Sequence, residues 1–142
     1  MSVARILAAK GRHVVTTQPH RSLQDVAGLL TDHGIGAVVV TGPDAEVLGI
    51  ISERDIVRAV AEGPAALQEP VSRHMTPKVV TVREGDSIDA IMDTMTAGRF
   101  RHAPVIEDGR IAGIVSIGDV VKHRVAAIET EKEALREYIS NA

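Results

Sequence analysis

Residues 113–119 read GIVSIGD, and residues 49–55 read GIISERD. Each segment has a glycine, two β-branched residues, a serine, two variable positions and an aspartate. This order predicts a strand followed directly by a helix, because serine is a favoured helix N-cap and an aspartate three residues later resembles a capping box. Two copies of this order indicate that one structural unit occurs twice in the chain.

The similarity between the two copies extends over most of the chain. Residues 14–30 align with residues 79–95, and the register slips by one residue in the turn before each quoted segment. Strand and helix patterns follow the same order in both copies, β-α-β-β-α. The predicted strands are Val14–Thr16, AVVVT (37–41) and VLGII (47–51) in the first copy, and Val79–Val82, HAPVI (102–106) and IAGIV (111–115) in the second.

The predicted helices have start and stop signals in both copies. The starts are at Ser22, Ser52, Ser87 and Ser116. Gly34 and Gly98 stand where the first helix of each copy ends. We therefore predict an α+β fold of two tandem repeats packed as a pseudo-twofold pair. The first repeat with its N-terminal lead-in covers 1–67, the second covers 68–127, and 128–142 extends the C-terminal helix.

The last helix is predicted to be long, from about Asp119 to Ile139. Val121, Ile128 and Leu135 are seven residues apart, Val125 and Ile139 lie beside them, and Lys132 interrupts this flanking stripe. Two interpretations stay open. The helix packs on its own domain, or it overhangs the domain and packs on a second subunit.

Composition excludes several classes of function. The 142 residues carry a net charge of −3, which gives no support to a general nucleic-acid binder. The absence of cysteine excludes disulfides, thiolate catalysis and cysteine-type zinc sites. The apolar run near the N-terminus is too short for a signal peptide, and no segment approaches the roughly 18 apolar residues of a membrane helix. We expect a soluble, cytoplasmic protein.

The repeated serine and aspartate have a structural and a functional interpretation. As a capping box, both side chains satisfy backbone N–H groups at the helix start. Alternatively, Ser52 or Ser116 and the helix N-terminus hold a phosphate. Asp55 or Asp119 would repel that anion, so each suits a neutral group with two donors, such as the two hydroxyls of a ribose.

Cations to offset the aspartate occur in one copy only. Arg99, Arg101 and His102 precede the strand HAPVI, and arginine suits forked phosphate contacts. The matching residues of the first copy are Gly34, Gly36 and Ala37. We therefore expect the cleft around Asp119 to be equipped for phosphates, and the cleft around Asp55 to be poorer unless Arg54 reaches into it.

These motifs together resemble a CBS-domain pair, also called a Bateman module. The segments MTPKVVTV (75–82), RHAPVIEDGRIAGIVSIGD (101–119) and GIISERDIV (49–57) carry the resemblance. It covers residues 3 to about 124, and the layout is similar to stand-alone proteins with two repeats. The resemblance implies two clefts that bind adenosine-containing ligands: AMP, ADP, ATP, S-adenosylmethionine or a dinucleotide such as NAD(H). It also implies a homodimer.

The resemblance further implies roles for individual residues. Asp119 and Asp55 would bind ribose hydroxyls, and Ser116 and Ser52 phosphate or ribose. Arg101 and His102 fall on phosphate-facing positions. Backbone groups at Lys78–Val80, including Val80, and at Thr16 would bond the adenine edge, and Ile117 and Gly118 would lie near its face. Gly36 and Ala37 depart from the family pattern, which weakens phosphate binding in the first cleft.

No sequence feature indicates an enzyme. The chain has no G-x-S-x-G or H-E-x-x-H motif and no Gly-rich phosphate loop, and its six histidines are scattered. We predict no catalytic residue, no metal and no catalytic cofactor. The hypothesis is a sensor that binds an adenine nucleotide and transmits occupancy to a protein partner. The alternative is a structural or dimerising module whose clefts are empty and whose aspartates only cap helices.

Overall fold

The computed structural model describes residues 2–141 as five helices, five strands and two short 3-10 segments. The first repeat contains β1 (Thr16–Thr17), α2 (Leu23–His33), β2 (Ala37–Thr41), β3 (Val47–Ser52) and α3 (Glu53–Ala61), and α1 (Val3–Lys10) precedes it. The 3-10 segments Pro64–Gln68 and Val71–Arg73 lead to the second repeat. That repeat contains α4 (Ile88–Gly98), β4 (His102–Glu107), β5 (Arg110–Ser116) and α5 (Ile117–Ser140). The α+β prediction is confirmed.

The two sheets repeat one hairpin. In the first sheet β1 is parallel to β2, and β2 is antiparallel to β3. In the second sheet β4 and β5 are antiparallel. Each hairpin has a register shift at the same place, after Val40 in β2 and after Val105 in β4. The shared irregularity fits the duplication that the sequence indicates.

The strand predicted over 79–82 is wrong except at Val82, which bridges to β4. In the first repeat the N–H of Val39 donates to the carbonyl of Val15 at 3.4 Å. Pro104 occupies the position equivalent to Val39 and has no N–H to donate. No equivalent bond forms from Pro104 to Val80, so the parallel strand pairing does not extend to Val80. The Val80 carbonyl has no backbone donor in the described chain.

All four predicted N-caps are confirmed. In each case the serine hydroxyl accepts a hydrogen bond from the backbone N–H three residues later; the serines are Ser22, Ser52, Ser87 and Ser116. Gly34 ends α2 in the left-handed conformation, as predicted. In α4 the left-handed residue is Arg99, at a φ of 56°, because Gly98 is still helical. The stop is therefore one residue later than predicted.

The two hydrophobic cores exchange their lead-in segments. The core of the second repeat contains Val3, Ile6 and Leu7 of α1 together with residues of α4, β4 and β5. The core of the first repeat contains Val71, which follows that repeat in sequence, and Met75 packs against it. Each repeat therefore completes its core with the segment that precedes the other repeat.

The glycine of each repeated motif makes room for the exchanged lead-in. A Cβ at Gly49 would lie 2.6 Å from the sulfur of Met75 and 2.8 Å from the backbone oxygen of Thr76. Thr76 and Ile50 also exchange two backbone hydrogen bonds, at 2.9 and 3.0 Å. A Cβ at Gly113 would lie 2.6 Å from a methyl carbon of Leu7. The motif needs glycine because another part of the chain crosses the strand there.

Helix α5 continues well beyond the second repeat. Val120 is buried against that repeat, whereas Val121, Val125, Ile128, Leu135 and Ile139 are 44–64% exposed. This apolar stripe is uncovered in a single copy, so the interpretation that the helix packs on its own domain is wrong for the stripe. Packing on a second subunit stays a prediction. Within residues 2–141 no helix combines the length and hydropathy that a bilayer-spanning segment requires.

Candidate functional site

Two clefts lie between the repeats, and we name each after a residue of the repeated motif. The Asp55 cleft has a volume of about 410 Å³. It is lined by Gly36, Ile50, Ser52, Glu53, Arg54, Asp55, Arg58, Thr76, Lys78, Val79, Val80, Gly98, Arg99, Phe100, Arg101 and His102. The Ser116 cleft has a volume of about 370 Å³. It is lined by Lys10, His13, Val14, Val15, His33, Gly34, Ile35, Gly36, Ala37, His102, Ile114 and Ser116.

Each cleft takes its motif from one repeat and its other wall from the other repeat. The Asp55 cleft combines Ser52 and Asp55 of the first repeat with 78–80 and 98–102 of the second. The Ser116 cleft combines the second motif with 13–15 and 33–37 of the first repeat. The two compositions mirror each other, as expected for a pseudo-twofold pair.

The predicted pairing of the cations with Asp119 is wrong. Arg99 and Arg101 line the cleft of Asp55, and of the three predicted cations only His102 lines both clefts. The prediction assumed that each cleft forms within one repeat, whereas the exchanged lead-ins bring the strand β4 of the second repeat to the motif of the first. Arg54 also lines the Asp55 cleft, which is the condition that the sequence analysis set for phosphate binding there.

Positive charge dominates the Asp55 cleft. Its lining contains two carboxylates, Glu53 and Asp55. The cationic side chains of the lining are Arg54, Arg58, Lys78, Arg99 and Arg101. Five cations against two anions leave an excess of three positive charges, which attracts an anion into the cleft.

Asp55 combines helix capping with a free acceptor. Both the backbone N–H and the hydroxyl of Ser52 donate to Oδ2 of Asp55, at 2.9 and 3.0 Å. The backbone N–H of Asp55 donates back to the hydroxyl at 3.3 Å. The structural interpretation as a capping box is therefore correct. It uses one carboxylate oxygen, and among residues 2–141 no protein group bonds the other, Oδ1.

Asp119 has the same capping geometry but a further partner. Ser116 donates its backbone N–H to Oδ2 at 2.9 Å, and the ammonium of Lys10 donates to that atom at 2.7 Å. Lys10 also donates to the carbonyl of Ile114 at 3.0 Å. Burial alone raises the pKa of Asp119, but the bonds from Lys10 and Ser116 outweigh it and lower the pKa below its usual range. The ammonium of Lys10 thus offsets the negative charge of Asp119.

His102 lies on the boundary between the clefts. Its ring packs on Gly36, where a Cβ would come within 3.4 Å of Cε1 and Nε2. Burial is the largest cause that lowers the pKa of His102, followed by the positive charge of Lys10. The imidazole is therefore neutral at pH 7, and it suits hydrogen bonding more than ion pairing.

The lowered pKa of His102 predicts a loss of stability in mild acid. The unfolded chain binds a proton at His102 near pH 6.5, whereas the folded chain binds it only at lower pH. The unfolding free energy should therefore fall as pH decreases from 7.5 through about 6.5, and it should level off below the folded pKa. His102→Gln should flatten this slope, measured by urea unfolding at several pH values. An unchanged slope in the variant would contradict the assignment.

Four of the predicted site residues line neither cleft. Asp119 is one of them, and its Oδ2 bonds Ser116 and Lys10. Thr16 lies in β1, Ile117 packs against the core of the second repeat, and Gly118 is exposed. Val14 and Val15 line the Ser116 cleft in place of Thr16. The repeat alignment contained this signal, because these two valines match Val79 and Val80 of the other cleft.

Lys10, Arg58 and Phe100 are site residues that the sequence analysis missed. Lys10 precedes the first repeat and carries no motif, so nothing local marks it. Phe100 follows the left-handed Arg99 and lines the Asp55 cleft. Arg58 lies one turn after Asp55 in α3. Nowhere in residues 2–141 do three histidine, aspartate or glutamate side chains converge to hold a metal ion.

Comparison with known proteins agrees with this geometry. The family model of the CBS domain matches residues 9–62 and 71–126. The chain belongs to the CBS-domain family. The two matched ranges make it a CBS-domain pair, which confirms the resemblance based on the repeated motifs.

Two relatives show how similar this chain is to other CBS-domain proteins. A CBS-domain-containing protein of Agrobacterium tumefaciens is 55% identical, with a TM-score of 0.84 over 87% of this chain and 92% of that one. The mitochondrial CBS-domain protein CBSX3 of Arabidopsis thaliana is 37% identical over 83% of this chain and 60% of the plant protein.

One structural relative was solved with adenosine-containing ligands. It is the CBS-domain pair of the protein MJ0100, in complex with 5'-methylthioadenosine and S-adenosyl-L-methionine. It is 25% identical, with a TM-score of 0.77 over 86% of this chain and 98% of that one.

Proposed function

We propose that this CBS-domain pair is a non-catalytic regulatory module that binds an adenosine-containing nucleotide in the Asp55 cleft and transmits its occupancy to a protein partner. The observation that carries the proposal is the combination of groups in that cleft. A carboxylate with a free oxygen faces the same space as five cationic side chains. A nucleoside phosphate needs both, a carboxylate for ribose hydroxyls and cations for phosphate.

The remaining walls suit an adenine ring. Ile50, Val79, Val80 and Phe100 supply apolar surface in the Asp55 cleft. The carbonyl of Val80 is available to accept from an exocyclic amino group, because Pro104 cannot donate to it. We assign the adenine edge to the backbone near Val80, the ribose to Asp55, and the phosphates to the cations.

The excess of cations favours ligands with several phosphates. Arg99 and Arg101 come from the second repeat, and Arg54 and Arg58 come from α3 of the first, so a phosphate chain is approached from two sides. AMP, ADP, ATP and NAD(H) all meet the chemistry, and the number of cations ranks ADP and ATP first. S-adenosylmethionine carries a sulfonium that these cations repel, so we expect it to bind more weakly here.

The Ser116 cleft is proposed as a weaker nucleotide site. Its lining has no arginine and no carboxylate, and Lys10 already occupies Asp119. The ribose role that the resemblance implies for Asp119 would fall on a carboxylate whose charge Lys10 already offsets. We therefore expect the Asp55 cleft to fill first.

The regulatory role, the homodimer, the protein partner and the cytoplasmic location are parts of the same proposal. By linkage, a ligand shifts an equilibrium between two arrangements of the repeats only by its difference in affinity for them. The alternative is a structural module with empty clefts. The two complete capping boxes favour it, because capping alone accounts for the repeated serines and aspartates.

Thermal unfolding with a panel of ligands distinguishes the two functions. The panel contains adenosine, AMP, ADP, ATP, NAD⁺, NADH and S-adenosylmethionine, with GTP as the base control. A ligand at 100 times its dissociation constant stabilises the fold by about 2.7 kcal/mol, which is a shift of a few degrees. We expect the largest shift with ADP or ATP and little with GTP. No shift at millimolar concentration would support the structural module.

A further inference from the structure

The exposed stripe of α5 has the spacing of a coiled-coil seam. Its apolar members and Lys132 follow one another at intervals of four, three, four, three and four residues. The seam residues are Val121, Val125, Ile128, Lys132, Leu135 and Ile139. In heptad notation Val125, Lys132 and Ile139 are a positions, and Val121, Ile128 and Leu135 are d positions. All of them are exposed in the single copy.

The charges beside the seam match those of a second, identical helix. In a parallel pair, each g residue faces the e residue five positions later on the partner helix. Arg124 at g then faces Glu129 of the second copy, and Glu131 at g faces Arg136 of the second copy. The twofold axis repeats both contacts, so all four flanking ion pairs are attractive.

An antiparallel pair over the full seam meets repulsion instead. In that arrangement e residues face e residues and g residues face g residues. Glu129 and Glu131 then each face their own copies near the centre, and Lys122 faces Arg136. The charge pattern thus distinguishes the orientations as well as the partner.

We propose that the 121–139 part of α5 binds the same segment of a second copy as a parallel, in-register, two-stranded coiled coil. Lys132 supports the dimer, because one polar residue at an a position fixes register and restricts the assembly to two strands at a cost in stability. This inference does not rest on the proposed nucleotide function, because no residue of the seam lines either cleft.

The body of each protomer leaves the seam accessible. Val120 and Ala127 lie on the face of α5 that packs on the second repeat, and Arg124 is within 3.4 Å of Asp89 at the edge of that face. At 3.6 residues per turn, the seam lies about 100° around the helix from Val120. Helices can therefore meet along the seam while the two bodies lie on opposite sides of the helix pair. Arg124 must share its charge between Asp89 and Glu129 of the second copy.

A cysteine cross-link tests orientation and register in the intact protein. The chain has no cysteine, so a single introduced thiol forms a disulfide only with another copy. Leu135→Cys places thiols opposite each other only in the parallel register, because an antiparallel pair sets Leu135 against Val125. At about 10 μM protein, an effective thiol concentration on the order of 1 mM predicts about a hundredfold faster cross-linking than for Glu137→Cys, the outward-facing control. Equal rates for both variants would overturn the proposal.

Charge reversal supplies an independent test by sedimentation equilibrium. Glu131→Lys and Arg136→Glu should each weaken dimer association about tenfold, and the double variant should recover it because the pair is restored with its signs exchanged. Glu133→Lys, which makes the same charge change away from the seam, is the control and should have no effect. We expect the parent protein to be a dimer at about 100 μM. A monomeric parent protein at that concentration would overturn the proposal. A dimer that is insensitive to these charge reversals would also overturn it.

Discussion

Asp55→Asn is expected to weaken adenine-nucleotide binding by about tenfold to a hundredfold while the fold stays intact. Hydrogen bonds to a charged group contribute roughly 1.5–3 kcal/mol, which corresponds to that range of affinity. Asparagine keeps an oxygen that can accept from Ser52, so the capping of α3 is largely retained. Isothermal titration with ADP measures the affinity, and urea unfolding measures the stability.

Asp119→Asn is the matched control for Asp55→Asn. Asp119 occupies an equivalent capping box, with the same 2.9 Å bond from its serine N–H, but its carboxylate already binds Lys10. We expect it to change ADP affinity in the Asp55 cleft by less than about twofold, within the usual independence of distant sites. Loss of binding in Asp119→Asn alone would contradict the assignment of the nucleotide to the Asp55 cleft.

The ligand itself supplies a second control for Asp55. ADP without its ribose hydroxyls, the 2',3'-dideoxy form, should bind the parent protein about as weakly as ADP binds Asp55→Asn. The variant should discriminate little between the two ligands, because the missing interaction is the same one. Full discrimination in the variant would show that another group contacts the ribose.

Gly49→Ala is expected to destabilise the protein by about 1–3 kcal/mol, the usual range for overpacking. The new methyl group would meet the backbone oxygen of Thr76 at 2.8 Å, and backbone cannot move aside as a side chain can. Gly113→Ala should cost less, since the atom in its way is the end of the Leu7 side chain. Urea unfolding at constant pH measures both effects.

Gly28→Ala is the control for the glycine prediction. Gly28 lies within α2, and a Cβ there would meet nothing within 4 Å. Alanine in a helix is favoured over glycine by roughly 1 kcal/mol, so this variant should be more stable than the parent. If Gly49→Ala were as stable as the parent, the lead-in segment would not be held tightly against β3.

Local patterns in the sequence were sufficient for the hairpins and the capped helices, but not for the strand expected over 79–82 or for the exchange of the lead-in segments. The hairpin strands follow short apolar runs rich in valine and isoleucine, and the four serine caps depend only on neighbouring residues, so both could be predicted. The packing of α1 on the second repeat and of Val71 on the first depends on contacts distant in sequence. Sequence periodicity does not indicate contacts between distant segments. For this reason the sequence analysis assigned the cations of the second repeat to Asp119, whereas they line the Asp55 cleft.

The exchange of lead-in segments has a consequence for biosynthesis. Lys10 and Ile114 are in contact although 104 residues separate them. At translation rates of about 5–20 residues per second, α1 leaves the ribosome roughly 5–20 s before the strand that receives it has been made. During that interval Val3, Ile6 and Leu7 have no completed core to enter, so their apolar side chains stay exposed on the nascent chain. The N-terminal helix α1 therefore reaches its final position only after the second repeat has been synthesised.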